Sequence, residues 1–302
     1  MEVSALGLGT VELGIPYGIG TPAPPGDSDC IRLLRRAFER GIRYFDTAAG
    51  YGRSEELLGR AFPSSTSRPV IATKAAICCP ADGSLLTGKP LARHIEDSVQ
   101  SSLRSLGVQE LDLLQIHAPD SGDFISEDLL AIMVSFARRG VVRHWGVSTY
   151  GEEQPLQALN HPRTFRTLQV AYNLLDRRLS RTIFPSCYRL GVGLVLRSVF
   201  LKGALSARLD SLPGHLAPLH RAGLQARILA DGLGISLPAL ALRFAAFQPQ
   251  AHVVLVGTAD LGELEADLAA FAAGPLPAEA LARIEEIAIG DQALLNPGNW
   301  GI

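Results

Sequence analysis

Most marks of a membrane, secreted or nucleic-acid-binding protein are missing from this sequence. No run of about 18 uninterrupted apolar residues occurs, so no membrane span is expected. The N-terminus, MEVSALGLGT, has no basic stretch followed by a long apolar one, which argues against a signal peptide. The four cysteines (Cys30, Cys78, Cys79, Cys187) show no CxxC spacing, so neither a zinc site nor a disulfide framework is indicated. Lys and Arg occur in short scattered groups such as Arg35-Arg36 and Arg177-Arg178 and the net charge is −2. No nucleic-acid partner is expected. Internal repeats and linkers are absent as well. What remains is a 302-residue chain, nearly half apolar, that can bury one large core. The expectation is a cytoplasmic protein of one domain over residues 1–302.

What is present is a regular alternation of strand and helix signals. Strands are predicted at Val3–Leu8, Arg43–Phe45, Val70–Thr73, Leu111–Ile116, Val141–Val147, Thr167–Ala171, Val192–Leu196 and His252–Val256. Helices are predicted at Asp29–Glu39, Ser54–Ala61, Leu91–Leu106, Glu127–Arg139, Glu152–Leu159, Ser180–Leu190, Leu237–Phe247 and Leu261–Ala273, several of them stopped by glycine. Gly14–Gly26 and Leu205–Leu219 read as loops. Short apolar strands alternating with helices imply an α/β fold, a closed (β/α)8 TIM barrel. A doubly wound open sheet is the rival. It lacks support because no GxGxxG follows the first strand and no acidic residue stands about 20 residues on.

Chemistry on such a barrel sits at the C-terminal strand ends. Those positions hold Asp46, Lys74, His117, Ser148-Thr149, Gln169, Arg197-Ser198 and Gly257-Thr258, with Tyr51 on the loop after the second strand between Gly50 and Gly52. Each alone has a plain reading: a turn-capping aspartate, a surface lysine, a satisfied core histidine, an ordinary half-buried tyrosine. Their joint placement on one rim shifts the balance toward function. A phenol ionises near about 10, too high for efficient proton exchange at neutral pH, and an adjacent ammonium lowers that value. A buried lysine keeps its charge only when a carboxylate such as Asp46 pairs with it. A neutral histidine can donate to a carbonyl oxygen and orient it. Tyr51 as acid/base, Lys74 as its tuner, Asp46 as partner and His117 as orienter could protonate a carbonyl while a cofactor delivers hydride. A metal-dependent barrel hydrolase is disfavoured, since only His117 and Asp46 qualify as strand-end ligands and no metal is expected.

The stretches DTAAGYGRSEELLG, IATKA, LDLLQIHAP, VVRHWGVSTY, LQVAYNLLDRR, VLRSVFLKGAL and VVLVGT together resemble the aldo-keto reductases across essentially the whole chain. The resemblance implies a catalytic tetrad of Asp46, Tyr51, Lys74 and His117. It implies a nicotinamide carboxamide held by Ser148, Thr149 and Gln169, and a pyrophosphate near Ser198, Leu201 and Gly203. Gly257, Thr258, Glu263 and Asp267 fall on the remaining cofactor segment. Tyr17, Phe124 and Trp300 are the candidate substrate liners.

Several departures from the family pattern stand out. The family's N-terminal hairpin would be short or missing. Arg197 stands where a tyrosine often stacks under the nicotinamide, and a guanidinium plane can stack too. Thr149 replaces a frequent Asn, and Ala118 replaces a Trp beside the histidine, which implies a more open site. GTADLGELEADL carries no cation for a 2′-phosphate, and Glu263 falls near a position often held by Arg. The expected cofactor is NAD(P)(H), with NAD(H) or weak discrimination favoured unless a cation such as Arg197 arrives from another loop. NAD would in turn favour the dehydrogenase direction on a hydroxyl or lactol. The expected partner is a small-molecule carbonyl or sugar, sugars and small aldehydes being the substrates of bacterial-type relatives with a YNLLDRR segment. The runner-up function is a nicotinamide-binding regulatory or scaffold member with little turnover. The oligomeric state is not readable.

Overall fold

A computed structural model describes residues 1–20, 23–63, 68–119 and 122–301. The strands are β1 (Leu6–Gly9), β2 (Tyr44–Asp46), β3 (Val70–Ala76), β4 (Leu111–His117), β5 (Val142–Ser148), β6 (Phe165–Ala171), β7 (Gly193–Arg197) and β8 (Val253–Gly257). They close in sequence order, every neighbouring pair parallel, with β1 hydrogen-bonded to β8. The helices are α1 (Val11–Gly14), α2 (Asp27–Glu39), α3 (Ser54–Ala61), α4 (Gly88–Leu106), α5 (Glu127–Arg138), α6 (Glu153–Leu159), α7 (Ile183–Leu190), α8 (Ala217–Gly232), α9 (Leu237–Ala246), α10 (Leu261–Ala272) and α11 (Ala278–Glu285). The closed (β/α)8 barrel expected from the alternation is the fold. Among the described residues no single helix is long and apolar enough to cross a membrane.

Local chemistry explains the element ends. Gly107 stops α4 in the left-handed conformation that a helix C-terminus favours. Ser126 and Ser236 cap α5 and α9 by accepting from Leu129 N and Ala239 N. The stretch Leu205–Leu219, expected to be a loop, already enters α8 at Ala217. Pro218 sits in the first turn, where its missing N–H costs nothing. Helices α1 and α11 were not expected either. In Gly14–Gly26, Thr21 and Pro22 lie outside the described residues.

The barrel interior follows the two-residue period of a strand. Tyr44, Ala72, Leu113, Val195, Val253 and Leu255 form a buried plug inside the barrel, separate from the larger core under the helices. Two residues further along the same strands stand Asp46, Lys74, Gln115, Arg197 and Gly257, so one register shift separates the plug from the polar rim. Gly146 on β5 is required by this packing. A Cβ there would lie 2.1 Å from Thr167 Oγ1 and 3.2 Å from Gln115 Cγ. Gly146→Ala is expected to destabilise the fold by about 1–3 kcal/mol through overpacking. Urea denaturation reads this, and an unchanged midpoint would mean that the interior yields at no cost.

Candidate active site

A cleft of about 440 Å³ opens at the C-terminal strand ends. Asp46, Tyr51, His117, Ser148, Gln169, Arg197, Ser198, Leu201, Gly203, Gly257, Glu263, Asp267 and Tyr17 all line it. Lys74 lies just beneath, only 3% exposed.

Asp46 is the hub. Its Oδ2 accepts from Lys74 Nζ at 2.5 Å, and its Oδ1 accepts from Gln169 Nε2 at 2.6 Å and Gln115 Nε2 at 3.1 Å. Lys74 Nζ also donates to Thr47 O at 2.9 Å and lies 4.9 Å from the centre of the Tyr51 ring. Burial alone would drive Lys74 toward its neutral form, but the Asp46 carboxylate and the Tyr51 phenol more than offset it, and its pKa is held above the usual lysine value. His117 goes the other way. Burial first, then the charges of Lys74 and Arg197, push it from 6.5 down to about 4 against the pull of Asp46, so the imidazole is neutral at pH 7.

The loop that carries Tyr51 is held against the segment after β1. A Cβ on Gly14 would lie 1.7 Å from Tyr51 O, and one on Gly52, whose φ is +54°, would lie 2.4 Å from Gly14 O. Gly14 and Gly52 are therefore the glycines this turn needs. Gly50, expected to share that role, has neither a positive φ nor any neighbour within 4 Å of a built Cβ.

Where the coenzyme is expected, Ser148 Oγ donates to Gln169 Oε1 at 3.1 Å, which links the expected carboxamide residues to the Asp46 hub. Thr149 Oγ1 is buried without a hydrogen-bond partner among the described residues, a polar atom left for a ligand group such as a carboxamide. After β7 the backbone takes positive φ at Ser198 (61°), Leu201 (46°), Lys202 (54°) and Gly203 (104°). Such strain persists where the surroundings impose it and is common at ligand-binding loops. Arg197 donates to Thr149 O at 2.9 Å and to Ser198 Oγ at 3.0 Å, and its guanidinium lies 3.9 Å from the centre of the Tyr150 ring. These residues fit a nicotinamide dinucleotide.

At the β8 end the cleft is acidic. Glu263 Oε2 accepts from Thr258 Oγ1 at 2.6 Å. Burial first, then Glu263 and Glu12, push Asp267 up to about 7. Glu12, on α1, is 9% exposed and its Oε2 has no hydrogen-bond partner among the described residues. A cation does arrive here from another loop, Arg208, 4.0 Å from Glu12 and 3.8 Å from Glu263, where the sequence had offered Arg197 as an example of such an arrival.

Two of the expected substrate liners are core residues. Phe124 is 2% exposed and its ring packs 6.5 Å from that of Phe165. Trp300 is 2% exposed, with Nε1 donating to Leu294 O. Neither lines the cleft, because burial of each ring against the hydrophobic core takes it out of reach. Tyr17 does line it. Thr149 and Thr258 stand behind the lining, Thr258 acting through Glu263. Sequence reasoning missed Gln115, Glu12, Tyr150 and Arg208. Gln115 was within reach, since it stands two residues before His117 and so on the same face of β4. Glu12 comes from the short helix α1, and Tyr150 and Arg208 from loops whose direction has no sequence period.

Known proteins share this fold. Residues 5–289 match the model of the aldo/keto reductase family. Aldo-keto reductase YhdN of Bacillus subtilis is 30% identical over 287 residues, covering 88% of this chain and 84% of that protein. The holo form of aldo-keto reductase AKR11C1 from Bacillus halodurans superimposes with a TM-score of 0.76 at 25% identity, covering 95% of this chain and 93% of that one. The glycerol dehydrogenase AKR11B4 from Gluconobacter oxydans has the same fold, with a TM-score of 0.74 at 24% identity over 95% of this chain and 92% of that one. The chain belongs to the aldo/keto reductase family, and with it to the nicotinamide-dependent oxidoreductases that act on small-molecule carbonyls.

Proposed function

We propose that this protein interconverts a small carbonyl compound and its alcohol, with Tyr51 as the proton donor and acceptor. The observation that carries the reading is the buried Lys74–Asp46 pair beneath the Tyr51 ring, beside a neutral His117. A bound nicotinamide coenzyme would supply or accept the hydride. The chain's own groups handle the proton and the oxygen. His117, uncharged, donates to the carbonyl oxygen and points it at Tyr51. As the phenol proton moves to that oxygen, the Lys74 ammonium stabilises the negative charge left on Tyr51, and Asp46 keeps Lys74 charged. In the oxidative direction the same proton returns to Tyr51.

Ser148, Thr149 and Gln169 would hold the carboxamide, and the strained loop Ser198–Gly203 the pyrophosphate. Tyr17 is the remaining proposed substrate liner. Its phenol ionises well above the usual value, chiefly through burial and then through Tyr150, so it meets a substrate as a neutral hydrogen-bonding group. Glu263, with Glu12 and a partly protonated Asp267 beside it, favours ribose hydroxyls over a 2′-phosphate despite Arg208, and so NAD(H) over NADP(H).

Tyr51→Phe should lower kcat by about 10²–10⁴-fold, the usual range for losing a positioned acid/base, while coenzyme still binds. Near-wild-type turnover would show that the proton takes another route. The wild type should show a higher kcat/KM with NADH than with NADPH, and Glu263→Arg should narrow that gap. A wild-type preference for NADPH would overturn the acidic-end argument. His117 makes a prediction about pH. Its folded value near 4 lies below the ordinary 6.5, so the unfolded chain binds the extra proton first. The stability it contributes is complete above pH 6.5 and is lost as pH falls through 4. Between pH 7 and 5 the unfolding free energy of the wild type should therefore drop more than that of His117→Gln. Parallel curves would contradict the buried neutral imidazole.

A further inference from the structure

The catalytic centre carries one charge that the proton-transfer mechanism does not use. Lys74 is balanced by Asp46 at 2.5 Å, and His117 is neutral. Arg197 has no such balance. Among the described residues no carboxylate lies within 4.0 Å of it, and its hydrogen bonds run to uncharged oxygens, Thr149 O and Ser198 Oγ. Burial works against its charge, and the titratable groups that face it are the phenols of Tyr150, Tyr51 and Tyr17. Its own charge reaches His117, where it opposes protonation. The carboxylates Glu12, Glu263 and Asp267 gather at the β8 end with Arg208. The centre around Tyr51 and His117 is thus net positive, in a cleft where charges are poorly screened.

An uncompensated, partly buried cation disfavours a second positive charge beside it. Resting on the coenzyme reading above, we propose that Arg197 sets the balance between the two coenzyme forms, making this cleft hold NADH more tightly than NAD⁺. Oxidised nicotinamide carries a positive charge on its ring that reduced nicotinamide lacks. The pyrophosphate is the same in both forms, so its attraction to Arg197 cancels from the ratio of affinities and only the ring charge remains. With its carboxamide at Thr149 as proposed above, the ring would lie close to Arg197, which donates to the Thr149 backbone carbonyl. Repulsion there weakens NAD⁺ alone, and bound NAD⁺ becomes the stronger hydride acceptor. An aromatic ring at this position would act in the opposite sense, since its face attracts a cationic ring. The enzyme is thereby biased on its own surface toward oxidising an alcohol and retaining NADH.

The test is equilibrium binding of both coenzyme forms to the purified protein, NADH by its fluorescence and NAD⁺ by competition. Wild type, Arg197→Gln and Arg197→Lys are compared, using the NADPH and NADP⁺ pair if that one binds better. Wild type should favour the reduced form by tenfold or more. Arg197→Gln should shrink that ratio by on the order of tenfold, the scale of one unit charge near another at a partly buried site, and Arg197→Lys, which keeps the charge, should preserve most of it. A wild-type ratio near one overturns the inference without calling on any variant. So does an Arg197→Gln ratio equal to that of the wild type. If the wild type binds neither form, the coenzyme reading falls and this inference falls with it, whereas binding with an unaffected ratio leaves that reading standing.

Discussion

The Asp46 carboxylate is the point from which the rest of the site is built. It sits inside a barrel, 4% exposed, where an unpaired charge would cost several kcal/mol. It is tolerated because Lys74, Gln115 and Gln169, from three different strands, all donate to it. None of these partners can be moved without leaving a buried donor or acceptor unmade. A buried ion pair adds little net stability compared with apolar packing. Its product is a lysine that stays charged out of water, directly under a phenol. Strand order, register and the space left by Gly146 all serve to bring those four side chains to one place.

That arrangement also divides the cleft electrically. Lys74 and Asp46 form an ion pair, and the burial of His117, with the charges of Lys74 and Arg197, keeps that imidazole uncharged. What is left is a positive centre at Arg197 and an acidic end around Glu12, Glu263 and Asp267. A ligand lying along the cleft meets a different sign at each end. The geometry of a barrel rim therefore does not by itself set the charge that a ligand meets. That depends on single side chains set around a common hub.

Much of this was legible residue by residue. The alternation of apolar strands and amphipathic helices specified the barrel, because burial on both faces and helical spacing are local patterns. The strand ends then identified Asp46, Lys74, His117, Ser148, Gln169 and Arg197. Gln115 could have been added from its period with His117. Other readings failed where packing decides. Phe124 and Trp300 were indistinguishable from pocket aromatics until their rings were seen buried in the core. Gly50 looked equivalent to Gly52 until Gly14 proved to be the residue pressed against Tyr51. Helix α8 was hidden behind prolines that break helices in the interior yet fit well in a first turn.

The sequence by itself determined which residue types stand at the end of each strand, and so the class of chemistry. Those assignments rest on periods of two and of three to four residues, which a chain carries locally. Only the tertiary structure decided which of them touch. Gln169 reaches Asp46 across 123 residues, Glu12 comes from a single turn after β1, and Arg208 arrives from the loop after β7. Contacts of that kind exist only once the barrel has closed, because closure brings the strand ends to one rim.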